Sequence, residues 1–281
     1  MIGFPNRIDA ATLSGGSWLA ARPLTKLQNR TLGDVARSTN LALASTRMDI
    51  DLGSAKNIRA IDIRNHNISL QGKYRITASN DSGFATLTYD SGWALAWPIV
   101  YPFGSLEWED DNWWSGRYTE EQRAGYIPAT THLLAANKLS RYWRIEIDDA
   151  LNADGYVQFG RVFIGPAWQP TNNMSFGASI GWETTTEVQE TRSGSEYFDV
   201  QTPFRVARFA LDWMTEDEGM ANAFELQRQA GIHKEVLWIH DPEDTIHALR
   251  RRFLGRLRQL SPIEFPYATV SKNAFEIKEL L

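Results

Sequence analysis

The residues best suited to chemistry in this chain are Glu107, Trp108, Glu109, Asp110, Asp111, Trp113 and Trp114, crowded around Asn112 in one short run. Indole rings stack on the apolar faces of sugars while carboxylates accept their hydroxyl hydrogens, so interleaved aromatic and acidic residues suit sugar binding. Clustered carboxylate oxygens also suit Ca²⁺, a hard cation that takes roughly six to eight oxygen ligands. The same tryptophans fit a protein contact, since Trp is enriched at interface hot spots. They fit equally a cap on the open end of a β-core, with the carboxylates left in solvent. If Trp113 and Trp114 lie on a strand they point to opposite faces, so at least one is expected outside the core.

The other candidates are weaker. Acidic pairs recur along the chain, but a glycosidase needs two carboxyls about 5–10 Å apart with one pKa raised, and spacing fixes neither. His240 and His247 flank Asp241-Pro-Glu-Asp244; a metal site would need a third ligand in fixed geometry. A phosphate-binding loop and a dinucleotide fingerprint are both missing. The expectation is therefore a non-enzyme with no catalytic, metal or cofactor residues. Arg250, Arg251, Arg252, Arg256 and Arg258 form the basic concentration. They suit either nucleic acid or, better in a chain of net charge −5, the acidic residues of a neighbouring subunit.

Composition narrows the class. At 281 residues, 43% hydrophobic and 22% charged, the chain is long enough for two globular domains with separate cores. The absence of cysteine removes disulfides, thiolate metal sites and cysteine nucleophiles together. Mild acidity gives no footprint for specific nucleic-acid binding. No leader peptide and no membrane insertion are expected, since no apolar run approaches the roughly 20 residues a span requires, so assembly in a cytosol follows. The eleven tryptophans are expected to be mostly core.

These residues must be positioned by strands. In Met48-Asp-Ile-Asp-Leu-Gly-Ser54, Ile58-Arg-Ala-Ile-Asp-Ile-Arg64 and Lys73-Tyr-Arg-Ile-Thr-Ala78, apolar and polar residues alternate, as a half-buried strand requires. Arg141-Tyr-Trp-Arg-Ile-Glu-Ile-Asp148 alternates again, and Tyr156 to Ile164 reads as a closing strand. The apolar-x-apolar-Asp-Leu-Gly strand, the Ile-Arg-x-apolar strand and Arg141-Tyr-x-Arg-Ile resemble the discoidin (galactose-binding-like) family over residues 35–165. The resemblance implies a jelly-roll β-sandwich used for binding. Residues 1–34 read as an irregular lead-in to this domain, which is taken as 1–165.

After Gly165-Pro-Ala-Trp-Gln-Pro170, taken as a linker, the pattern changes. Two polar strands around Arg192-Ser-Gly-Ser195 read as a long hairpin. Arg205-Val-Ala-Arg-Phe-Ala-Leu-Asp-Trp213 reads as a strand. Thr215-Glu-Asp-Glu218 predicts a capping box for a helix with Met220, Ala223, Phe224 and Gln227 on one face, stopped at Gly231. Lys234 to His240 is apolar on both faces, hence a central strand. Two further strands are read from Phe253 to Leu260, where a helical stripe also fits, and from Phe275 to Glu279. The order Trp182-Glu…Phe209-x-Leu-x-Trp-Met-Thr-Glu-x-Glu218…Gly231…Gly255-Arg-Leu257…Leu260-Ser-Pro-Ile263 resembles minor tail and distal-tail proteins of long-tailed bacteriophages over residues 166–281. That resemblance implies a tail-tube-like β-sandwich with one flanking helix and a structural role in the tail tip or baseplate of a virion. It further implies self-association into a six-fold or three-fold ring, with tube, hub or fibre proteins as partners and a host-surface glycan as a possible ligand of the jelly roll. A free-standing lectin, and more remotely a glycan-processing enzyme, are the alternatives.

Overall fold

The computed structural model describes residues 1–267 and 269–281. The chain is mostly β, in sandwich-like units with one extended helix. It divides into two compact units. The first comprises Pro5–Ala167 and Asp241–Arg250; the second comprises Met1–Phe4, Trp168–His240 and Arg251–Leu281. The first four residues, read from sequence as part of the lead-in, thus complete the second unit.

In the first unit the antiparallel order is Arg161–Gly165, Met48–Arg64, Ala129–Asp148, Lys73–Ser79, Leu87–Asp90. Thr12–Ser14 adds to Met48–Arg64, and Ala94–Leu95 to Lys73–Ser79. The segments 48–54 and 58–64, expected as separate strands, are one continuous strand with register shifts at Asp51/Lys56 and Ile58/Ala60. Such irregularities bend a strand and increase its twist, which lets a long strand wrap a core instead of overrunning it. Met48, Ile50, Ile61, Ile63, Ile76, Trp143, Ile145 and Ile147 fill that core. Alternation misled at Asp62 and Arg64, which were expected in solvent. Both are buried and ion-paired, and Thr131 donates to Asp62.

The second unit's sheet runs Ala167–Trp168, Ile2–Gly3, Glu235–Ile239, Arg252–Leu257, Val270–Glu279, Phe204–Thr215, Ser179–Glu183. Glu235–Ile239 is buried throughout, as its double-sided apolarity required. Arg252–Leu257 resolves the strand-or-helix ambiguity: a single helical turn, Ala248–Arg251, precedes it and Gly255 packs closely on Lys278. The helix covers 216–230, with a π-helical stretch at Gly219–Phe224. Thr215 caps it by accepting from the Glu218 amide at 3.2 Å, and Gly231 ends it at φ +53°. Glu218 does not reach back to close a capping box. Its Oε1 instead accepts from Trp168 Nε1 and the Thr171 amide. The buried helix face also differs from the expected one: Ala223 and Gln227 are inside with Gly219, Leu226 and Ala230, while Met220 and Phe224 are exposed. Gly219 explains the rotation, because a Cβ there would lie 2.2 Å from Ser271 Oγ, so only this face approaches the sheet closely.

Candidate functional site

The aromatic–acidic run sits in the loop 101–117 of the first unit, between Ala94–Leu95 and Ala129–Asp148. The base of the loop is closed by backbone. The Val100 and Tyr101 amides both donate to Gly116 O, at 2.8 and 2.9 Å. Gly116 has φ +58°, and a Cβ would lie 2.8 Å from Ile99 Cγ2, so no other residue fits without displacement. Inside the loop, buried Asn112 donates from Nδ2 to Arg117 O at 2.6 Å, and Asp110 accepts from the Glu107 amide at 2.9 Å. Arg117 is tied to Leu70 O at 2.6 Å. These ties hold a turn, not the extended strand on which neighbouring side chains would diverge.

On that turn the rings gather. Trp113 centres the group, with centroids at 4.5 Å from Trp114, 5.5 Å from Trp108 and 6.0 Å from Phe103. All three contacts are tilted or edge-to-face, the geometry aromatic quadrupoles prefer. Trp108 and Trp114 are nevertheless 69% and 83% exposed. Trp113 is half-buried by its neighbours, and Glu107, Glu109, Asp110 and Asp111 are exposed around the cluster. The cap-of-core alternative therefore fails for Trp108 and Trp114. Across the molecule, Trp97, Trp143 and Trp238 are buried, whereas Trp93, Trp108, Trp114, Trp182 and Trp213 are exposed, so the expectation of a mostly buried set was wrong.

Arg252 and Arg256 lie four residues apart on the strand Arg252–Leu257, and Arg258 directly follows it. Arg250 falls in the first unit, on the helical turn Ala248–Arg251, with its guanidinium 5.8 Å from the Tyr118 ring. Arg251, Arg252, Arg256 and Arg258 fall in the second. Arg256 stands opposite Glu235. Arg258 donates to Glu183 at 2.7 Å and Glu276 at 3.0 Å, carboxylates that Arg208 also engages. Arginines 208 and 258 hold Glu183 below the usual carboxylate range. Among the described residues no group of three or more His, Cys, Asp and Glu could hold a metal ion, and no helix is long and apolar enough to cross a membrane.

One polar cluster had no signal in the sequence. His132 lies between Tyr74, whose hydroxyl is 3.0 Å from Nδ1, and Tyr89, whose hydroxyl is 2.6 Å from Nε2. Burial lowers the His132 pKa and pushes Tyr74 up to about 12. Both shifts favour the neutral forms, so the cluster joins three strands by hydrogen bonds without storing a charge. The three residues are 43 and 58 positions apart and only register unites them. The second unit also carries an open depression of about 310 Å³, lined by residues including Phe176, Ala178, Ala210 and Ala274 with Arg208 and Glu276.

No family model and no curated protein matches the chain. Among solved structures it is similar to a family 89 glycoside hydrolase from Clostridium perfringens, at 15% identity and TM-score 0.38. That similarity covers 62% of this chain and 17% of the hydrolase. It is also similar to the family 32 CBM of C. perfringens NanJ in complex with galactose, at 12% identity, 58% and 98% coverage and TM-score 0.37. A Streptococcus pneumoniae fucose binding module gives 11% identity, 58% and 96% coverage and TM-score 0.37. The chain thus spans about one sixth of the length of the hydrolase it matches.

Proposed function

We propose that this chain is a non-catalytic binding protein whose first unit presents the loop 101–117 to a carbohydrate. The observation that supports it is the exposed cluster of Trp108, Trp113, Trp114 and Phe103, held on a hydrogen-bonded turn and ringed by Glu109, Asp110 and Asp111. Rings supply apolar platforms and carboxylates supply acceptors for sugar hydroxyls, and a preformed loop avoids the ordering cost of binding. Acidic surroundings favour a neutral over an anionic sugar. The test is titration of the protein with neutral and sialylated glycans, followed by tryptophan fluorescence. Trp108→Ala and Trp114→Ala are expected to abolish the response to neutral glycans while leaving thermal unfolding nearly unchanged. No response to any neutral glycan, or an unaltered one in both variants, rejects the reading.

A second reading is a structural protein of a bacteriophage tail tip or baseplate, forming or extending a ring in which the first unit faces a neighbour or the host surface. It is supported by the bare edge of the second unit. Ser179–Glu183 pairs on one side only among the described residues, although it exposes Ile180 and Trp182, and it is followed by a hairpin exposed along both strands. Edges of this kind invite strand pairing by another chain. The two readings are compatible, with the second unit fastening a binding unit into an assembly. Cryo-microscopy of the native particle tests it: a six-fold or three-fold ring of copies is expected, and a single copy per particle rejects it.

A further inference from the structure

The hairpin formed by Glu187–Glu190 and Glu196–Asp199 is a two-stranded sheet of its own, and every residue of both strands is exposed. A lone two-stranded hairpin is marginal in water, and this one is built against itself. Its register sets Glu187 opposite Asp199 and Glu190 opposite Glu196, and directly opposed like charges destabilise a strand pair. The remaining pairs are Val188 with Phe198 and Gln189 with Tyr197. Tyr197 is 70% and Phe198 56% exposed. Strand alternation then sorts the residues. One face carries Val188 and Phe198 beside Glu190 and Glu196; the other carries Tyr197 and Gln189 beside Glu187 and Asp199. Each face therefore sets one aromatic ring next to one pair of carboxylates.

We propose that this hairpin docks a surface of a different protein that presents arginine side chains, one to each aromatic–carboxylate face. A guanidinium is flat and weakly hydrated. It stacks on an aromatic ring while its N–H fork donates to carboxylates, which a lysine ammonium does not reproduce. Its charge would also remove the repulsion within each acidic pair, so docking and hairpin stabilisation are one event. A second copy of this chain is disfavoured as the source, because it carries the same net charge of −5 and six of its arginines are already ion-paired: Arg205 with Glu279, Arg208 and Arg258 with Glu183 and Glu276, Arg141 with Asp51, Arg144 with Asp49 and Arg75 with Asp90. The inference deepens the assembly reading by naming the chemistry of the partner.

The experiment is hydrogen exchange of the full chain with a blocked alternating Arg-Val octapeptide as probe, beside Lys-Val, citrulline-Val and Glu-Val versions and CaCl₂. With the Arg peptide at about ten times its Kd, opening of the hairpin amides is suppressed about tenfold. The Lys peptide is expected to protect less, and citrulline and Glu peptides not at all. Glu190→Gln with Glu196→Gln is expected to raise protection in the free protein and to weaken the Arg peptide's effect. Equal protection by the citrulline peptide would show simple strand addition, and equal protection by CaCl₂ would show a cation site; either overturns the proposal. So does exchange unchanged by the Arg peptide. Self-association without any peptide effect sinks this inference while leaving the assembly reading intact, whereas a peptide effect without assembly does the reverse.

Discussion

At the scale of single residues, burial decides protonation. His66 is buried against Trp97, accepts at Nδ1 from the Ile68 amide, and sits 3.0 Å by Nε2 from Thr130 Oγ1. The Ile68 bond leaves the ring proton on Nε2, so the neutral form satisfies both nitrogens. Burial, assisted by the Arg64 charge, pushes its pKa down to about 3 from 6.5. Above pH 6.5 both folded and unfolded chains hold it neutral. Below 6.5 only the unfolded chain takes up the proton, so stability falls with pH until about 3. Between pH 6.5 and 5 this amounts to about 2 kcal/mol. Urea denaturation at pH 7 and 5 is expected to show a loss about 2 kcal/mol smaller in His66→Gln than in the parent; equal losses would contradict the assignment. Tryptophan burial gives a second contrast. Trp143→Ala is expected to cost about 3–5 kcal/mol, whereas Trp114→Ala removes a ring that is mostly in solvent.

At the scale of elements, the second unit's sheet is pinned by a buried ion pair. Glu279 accepts from the Arg205 amide at 3.0 Å and from Arg205 Nε at 2.8 Å, and a further bond joins Arg205 Nη2 to Oε1. The guanidinium also lies 5.0 Å from the Phe253 ring centroid. This couples the ends of Phe204–Thr215 and Val270–Glu279 to Arg252–Leu257. Taking away one partner leaves a buried charge unpaired, which costs about 3–5 kcal/mol. Glu279→Gln is therefore expected to destabilise strongly, and the double change Arg205→Leu with Glu279→Leu to destabilise less than the single one. Chemical denaturation of both variants checks this order. A double variant weaker than Glu279→Gln would mean that packing, not charge pairing, holds the strand ends.

At the scale of the molecule, the chain folds as two cores with interleaved segments. Ile2 pairs with Trp238 and Gly3 with Leu237, and Ile2 belongs to the second unit's core. Deleting residues 1–4 is expected to lower the unfolding midpoint of the second unit by the equivalent of about 2–5 kcal/mol, the cost of losing a buried isoleucine. The first unit's midpoint should not move. Calorimetry that shows one undivided transition, or equal shifts in two, would reject separate cores. A division at residues 165–170, as the sequence suggested, remains a proposal that limited proteolysis there and at Ser193-Gly194 addresses. The pairing pattern bears on it: Arg161–Gly165 belongs to one sheet and Ala167–Trp168 to the other.

Alternation along the chain was enough to reveal the strands around Ile50, Ile76, Trp143 and Phe209, because a side-chain period of two is a local property of the backbone. The stop at Gly231 and the cap at Thr215 were legible for the same reason. Composition alone drew attention to the run from Glu107 to Trp114. What local pattern does not carry is which polar residues are covered and which apolar ones are not. Asp62 and Arg64 alternate like solvent-facing residues yet lie buried and paired, and the indoles of Trp108 and Trp114, ordinarily core side chains, stand in water. The joining of His132 to Tyr74 and Tyr89 and the opposition of Glu190 to Glu196 depend on strand register or on residues distant in sequence. Register and burial are set by packing of the whole core, so only the tertiary structure decides them.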